Sequence, residues 1–111
     1  MFEFLTPLWN EPIHRLQLAN GMEIFFKPDA SHPLCSVQLW VKTGSIHEGP
    51  WMGTGVSHFV EHMVFKETAR YKGPELTRLI QGAGGYLNAY TTFDRTVYYA
   101  NLPSSAFAVG I

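Results

Sequence analysis

Cysteine is almost absent: Cys35 is the sole one in 111 residues, so no internal disulfide can form and a reducing compartment is the matching expectation. Charge of one sign is equally scarce. The net charge is -1 and the eight lysines and arginines are scattered along the chain, which leaves no basic patch for a phosphate backbone and excludes nucleic acid from the expected partners. No segment approaches the roughly 20 consecutive apolar residues that cross a bilayer. The opening "MFEFLTPLWN" has an early acid and a proline where a signal peptide would have a basic start. A cytoplasmic chain without a membrane partner is the resulting expectation. Low-complexity tracts, linkers and internal repeats are also lacking, so residues 1–111 read as a single domain.

What is present is apolar and aromatic: 46% of the residues are hydrophobic and 14% aromatic, enough for one core burying somewhat over roughly 60% of the unfolded surface. Two apolar-rich runs flank Asn20 and Gly21 in "RLQLANGMEIFFKPD", which predicts a hairpin closed by a type I′ turn. In "LCSVQLWVK", Cys35, Val37, Leu39 and Val41 alternate with Ser36, Gln38, Trp40 and Lys42, the period of a strand with one face in a core. Residues 43–53, with three glycines and a proline, predict a loop. Beyond Thr54, a candidate N-cap, the residues Val56, Phe59, Val60, Met63 and Val64 recur at helical spacing and are expected to face the core. "GPELTRLIQGAGG" predicts a second helix, with Pro74 at its first position, Glu75 in its first turn, Leu76, Leu79 and Ile80 on one face, and Gly82 or Gly84 at its exit. "YLNAY" and "TVYYANL" predict two more strands joined by "TTFDR", and "SSAFAVGI" predicts a further helix starting near Ser105. The fold class expected is α+β, a mostly antiparallel sheet with helices packed on one face.

The first helix carries the chemistry. His58 and His62 are four residues apart, so both imidazoles lie on one face and can each approach one ion to about 2.0–2.1 Å. Glu61 precedes the second histidine and is turned off that line, the placement of a base for a metal-activated water. The run His58-Phe59-Val60-Glu61-His62 is H-x-x-E-H, the inversion of H-E-x-x-H. A structural histidine pair on a core helix is the alternative. His14, His32 and His47 fall in turns or at strand ends and are expected on the surface.

Three blocks, "VQLWVKTGSIHE", "GTGVSHFVEHMVFKET" and "GGYLNAYTTFDRTVYYANLP", occur in order, and together they resemble the N-terminal domain of the inverzincin peptidases, the family of pitrilysin, insulysin and mitochondrial processing peptidase. The resemblance spans most of residues 12–105. It implies a zinc-dependent endopeptidase or oligopeptidase acting on peptides or unfolded polypeptide, with His58 and His62 as ligands of one zinc ion and Glu61 as the catalytic base. It also implies that the peptide binds as an added strand along Asn88, Ala89, Tyr90 and Thr91, where main-chain hydrogen bonds give affinity independent of sequence. The third zinc ligand in this family is a glutamate on a later helix, placing it beyond Ile111, and the expected partner is the rest of a parent chain or a partner subunit. Residues 1–111 alone are then expected to be inactive, and to self-associate through apolar surface left uncovered. Glu67 stands where the family commonly has glycine and could alter the end of the first helix. Two other readings use the same residues: a non-catalytic, peptide-binding or scaffolding member of this family, and an S-ribosylhomocysteine lyase-like enzyme. The lyases take a cysteine downstream of the motif as third ligand, whereas Cys35 lies upstream.

Overall fold

The computed structural model describes residues 12–111, so the reading of "MFEFLTPLWN" falls outside the described residues. Two compact units divide the chain, Met1–His32 and Pro33–Ile111.

In the first unit, β1 (His14–Gln17) and β2 (Glu23–Phe26) form the expected antiparallel hairpin. Its turn differs from the type I′ expected. Gly21 is at φ 86° while among the described residues no other residue type has positive φ, so Asn20 does not take the left-handed conformation that a type I′ turn demands of both central residues. The Gly21 N–H donates to the Leu18 carbonyl (2.9 Å) and the Leu18 N–H to the Met22 carbonyl (2.9 Å). These bonds define a type I turn over residues 18–21 followed by a glycine bulge, the three-residue alternative that fits the same strand twist. Arg15 and Glu23 form an ion pair across the hairpin.

The second unit is a three-stranded antiparallel sheet in the order β3-β5-β4, with β3 at Leu34–Val41, β4 at Tyr86–Thr91 and β5 at Thr96–Pro103. The period-two alternation seen in the sequence holds for the first half of β3, where the half-buried Cys35 and Val37 pair with Leu102 and Ala100, but Leu39 and Val41, expected on the same core face, are exposed; Leu87 pairs with Ala100 from the other side. One face therefore presents Cys35, Val37, Leu87, Ala100 and Leu102. Helices α1 (Val56–Val64) and α2 (Glu75–Gly82) cover that face, and Ile80 of α2 packs on Ala100 and Leu102 in the buried cluster. The fold is thus α+β, with an antiparallel sheet and helices on one side. None of the described helices is long and apolar enough to cross a membrane.

Helix α2 begins one residue later than expected, with Pro74 as its N-cap and Glu75 in its first turn. Its exit is at Gly84. The Gly84 N–H donates to Gln81 (2.9 Å) and the Gly85 N–H to Ile80 (2.8 Å), the paired bonds that end a helix when the intervening residue turns left-handed, and Gly84 has φ 79°. This reversal sends the chain straight into β4. Residues 104–109 differ from the helix expected near Ser105: Ser104–Val109 is a 3-10 helix entered from the extended Pro103.

Candidate metal and catalytic site

The loop before α1 is not loose. Short 3-10 turns at Ser45–His47 and Gly49–Trp51 fold it, and the Ser45 and Ile46 N–H groups donate to the carbonyls of Thr92 (3.2 Å) and Phe93 (2.9 Å) in the β4–β5 connection. Gly44 makes that contact possible. It is extended (φ -150°) and buried, and a Cβ there would lie 2.6 Å from the Phe93 carbonyl and 2.7 Å from the Arg95 nitrogen. The loop is therefore pinned to the strand connection before the helix begins.

Thr54 does not cap that helix. Its hydroxyl donates back to the Trp51 carbonyl (2.6 Å), and the N-cap is Gly55, in the left-handed region at φ 78°. The capping oxygen comes from Glu48, whose Oε1 accepts from the Ser57 N–H at 2.8 Å. A carboxylate satisfies an orphan donor here and meets the positive end of the helix dipole. The Ser57 N–H bond is the main cause holding the Glu48 carboxyl below its ordinary range, with the Gly53 and Gly55 N–H groups adding to it and partial desolvation opposing it. Glu48 was not legible as a cap because a nine-residue gap spanning two turns separates it from Ser57.

The faces of α1 reverse the expectation drawn from its apolar spacing. Phe59 is 64% and Val60 51% exposed, whereas Glu61 is only 6% exposed. The strip turned to the sheet is Ser57, Glu61 and Phe65, at intervals of four, with the Phe65 ring tilted at 50° against Tyr98 of β5, 6.1 Å between centroids. Val60, Met63 and Val64 do not anchor the helix in a core among the described residues. The sheet offers that strip hydroxyls and a phenol rather than a purely aliphatic surface, and the polar side chain matches it. Glu67 lies beyond the end of α1, after the Lys66 N–H has closed on the Met63 carbonyl (3.0 Å).

His58 and His62 stand together on the exposed flank, their Nε2 atoms 3.0 Å apart and their ring centroids 4.6 Å apart. Two nitrogens bound at tetrahedral angles to one zinc are about 3.3 Å apart, so a small opening of this pair fits a zinc ion. Imidazole nitrogens are also a suitable ligand type for it. No group of three metal-binding side chains occurs among the described residues, and Cys35 sits half-buried on β3 with its thiol toward the Pro103 carbonyl.

Glu61 Oε2 accepts a 2.6 Å hydrogen bond from the Thr91 hydroxyl. Tyr98 also lies in its field: burial first, and the Glu61 charge second, push the Tyr98 phenol above its usual value. Beside His58 an open cleft is bounded by Glu48, Thr91 and Arg95. The three sequence blocks thus meet at one place, through Glu48 to Ser57, Ser45 to Thr92, and Thr91 to Glu61.

Residues 24–109 match the family described as insulinase, peptidase family M16. The chain belongs to the M16 peptidase family. Relatives of this M16 chain include the uncharacterized zinc protease YmxG of Bacillus subtilis, 36% identical over 90 residues that make up 81% of this chain and 22% of that protein. The mitochondrial-processing peptidase subunit beta of Homo sapiens is 42% identical over 83 residues, 75% of this chain and 17% of the relative. Cytochrome b-c1 complex subunit 1 of Bos taurus is 37% identical over 83 residues, again 75% and 17%. Among solved structures, a protease from Helicobacter pylori superposes with a TM-score of 0.79 at 30% identity, covering 86% of this chain and 23% of that one. The M16 chain spans about a fifth of the length of these curated relatives.

The remaining residues singled out in the sequence lie on β4, an edge strand of the described sheet. The Thr92 N–H donates to the Arg95 carbonyl (2.8 Å), and alternation from that pair leaves the main-chain groups of Leu87, Ala89 and Thr91 pointing away from β5. The Ala89 N–H is occupied by Asn88 Oδ1 (2.8 Å), while Asn88 Nδ2 donates to the Tyr86 hydroxyl (2.7 Å). Asn88 and Tyr90 project from the face opposite the helices, where Tyr90 and Tyr86 flank Tyr99. Thr91 turns its side chain to Glu61 instead.

Proposed function

We propose that the protein is a zinc-dependent peptidase in which His58 and His62 hold the metal and Glu61 is the proton carrier. The observation that supports this most directly is the pair of Nε2 atoms 3.0 Å apart, on the same helix as a buried carboxylate that has one oxygen already engaged. Membership of a peptidase family, and a relative named as a zinc protease, add to it. Zinc, when bound, would supply Lewis-acid activation of a water and of the scissile carbonyl. With Oε2 committed to Thr91, Oε1 is the Glu61 oxygen left without a hydrogen bond among the described residues. Oε1 takes the proton from the attacking water and returns it to the leaving nitrogen.

The substrate proposed is an extended peptide that adds to the open edge of β4. Leu87, Ala89 and Thr91 offer main-chain donors and acceptors there, and a peptide would displace the Asn88 amide from Ala89. Such pairing reads the backbone rather than the side chains, which suits a peptidase acting on unfolded polypeptide. The third ligand is proposed to come from beyond Ile111 or from a partner subunit. Relatives named as subunits of a processing peptidase and of the cytochrome b-c1 complex support a partner subunit for this chain.

The test is hydrolysis of a quenched fluorescent peptide by the full-length protein with any partner subunit. Activity should vanish on chelation, return with zinc, and be lost in Glu61→Gln. Undiminished hydrolysis by Glu61→Gln would overturn the assignment. Residues 1–111 alone should show none.

A further inference from the structure

Resting on that reading of Glu61, we propose that Thr91 is a positioning residue for the base: its hydroxyl holds Glu61 by Oε2 and so selects Oε1 as the oxygen that works. A carboxylate at the end of a Glu side chain can rotate and present either oxygen, and on a helix its two preceding torsions add further freedom. In this protein one oxygen is tied. Thr91 Oγ1 lies 2.6 Å from Glu61 Oε2, within the range of a hydroxyl donating to a carboxylate.

The direction of the network follows from counting protons. Thr96, directly across the ladder from Thr91 and 5% exposed, has its Oγ1 3.0 Å from the Thr43 carbonyl and 3.3 Å from Thr91 Oγ1. The carbonyl can only accept. Whether Thr96 gives its single proton to Thr43 or to Thr91, the Thr91 proton remains available for Glu61, the nearer and more basic acceptor. Thr91 therefore donates, and Glu61 Oε2 is the acceptor. The anchor is rigid because Thr91 and Thr96 are paired in the sheet, and Thr43 adjoins the loop pinned to residues 92–93. The base is thus fixed against a strand that would also carry substrate, so the distance from Glu61 to a peptide on β4 is set by one short hydrogen bond.

The experiment compares Thr91→Val, which keeps the shape and removes the hydroxyl, with Thr91→Ser, which keeps the hydroxyl. Both are made in the full-length protein with any partner it needs, alongside Glu61→Gln. Thr91→Val is expected to lower kcat by about 10- to 100-fold, the scale of misplacing a catalytic group, with KM within about twofold. Thr91→Ser should restore kcat to within about threefold of the parent. Zinc affinity, measured by competition with a chromogenic chelator, should be unchanged in both, since neither variant touches a ligand. The inference is overturned if Thr91→Val keeps the parental kcat, if its loss lies in KM, or if Thr91→Ser falls as far as Thr91→Val. A drop in melting temperature shared by both variants with equal loss of activity would likewise assign Thr91 to folding alone and overturn it. Full activity in Glu61→Gln would remove the peptidase reading itself, whereas an inactive Glu61→Gln with a fully active Thr91→Val would remove only the role given to Thr91.

Discussion

At the scale of single residues, two side chains do work that their neighbours in sequence do not announce. Glu48 caps α1 across two tight turns, and its carboxyl is held low mainly by the Ser57 N–H. A depressed folded-state pKa contributes stability that is fully present above the ordinary value of 4.5 and is lost as pH falls through the lowered one. Glu48→Gln can still accept from Ser57 but no longer titrates. The melting temperature of the parent should therefore fall more steeply than that of Glu48→Gln in acid below about pH 4.5. Asp29, also held low by Ser31, titrates in the same region in both proteins, so the difference between the two curves isolates Glu48. Parallel curves would exclude the cap as a source of acid sensitivity. Gly44 gives the second test. Gly44→Ala places a methyl against three backbone atoms of residues 92–95, and should cost about 1–3 kcal/mol in urea unfolding, or more if the strand connection cannot shift. An unchanged midpoint would mean that the loop before α1 has room to spare.

At the scale of elements, α1 shows why pattern alone misplaced its inner face. A nine-residue helix is not stable alone in water, so tertiary contacts must hold it. Those contacts are the Glu48 cap, the Glu61–Thr91 bond and Phe65 on Tyr98, rather than its valines. A hydrogen bond to a charged group is worth about 1.5–3 kcal/mol, comparable with burying one large aliphatic side chain, so a partly polar contact can orient a helix this short. The existence of α1 was legible from its spacing; its rotation was not, because the partner surface, Thr91 and Tyr98, lies 30 or more residues away. The exit of α2 gives a paired prediction. Gly84→Ala forces a Cβ into the left-handed region with little steric contact, and should cost about 1–2 kcal/mol. Gly82→Ala, within the helix and facing open space, should stabilise by about 0.5–1 kcal/mol. Equal effects in chemical denaturation would contradict the two distinct conformations.

At the scale of the whole molecule, the uncovered apolar flank of α1 has a consequence. Phe59, Val60 and Met63 are exposed side by side, and a soluble chain rarely leaves such a patch bare. Residues 1–111 on their own should form oligomers whose size in light scattering rises with concentration, and the double variant Phe59→Ser, Met63→Ser should reduce it. A clean monomer at high concentration would show that the patch is harmless. The same molecule should bind zinc only weakly, because two imidazoles are one ligand short of a catalytic site; calorimetry on His58→Ala should abolish even that binding. The sequence by itself determined the α+β class, the strand alternation and the placing of His58 and His62 on one helical face, because each follows from a local period of two or of 3.6 residues. Tertiary structure alone decided that Glu61 faces inward, that Glu48 rather than Thr54 caps the helix, and that Thr91 reaches the base. Those outcomes depend on which distant strand supplies a hydroxyl or a donor, and no local period encodes that.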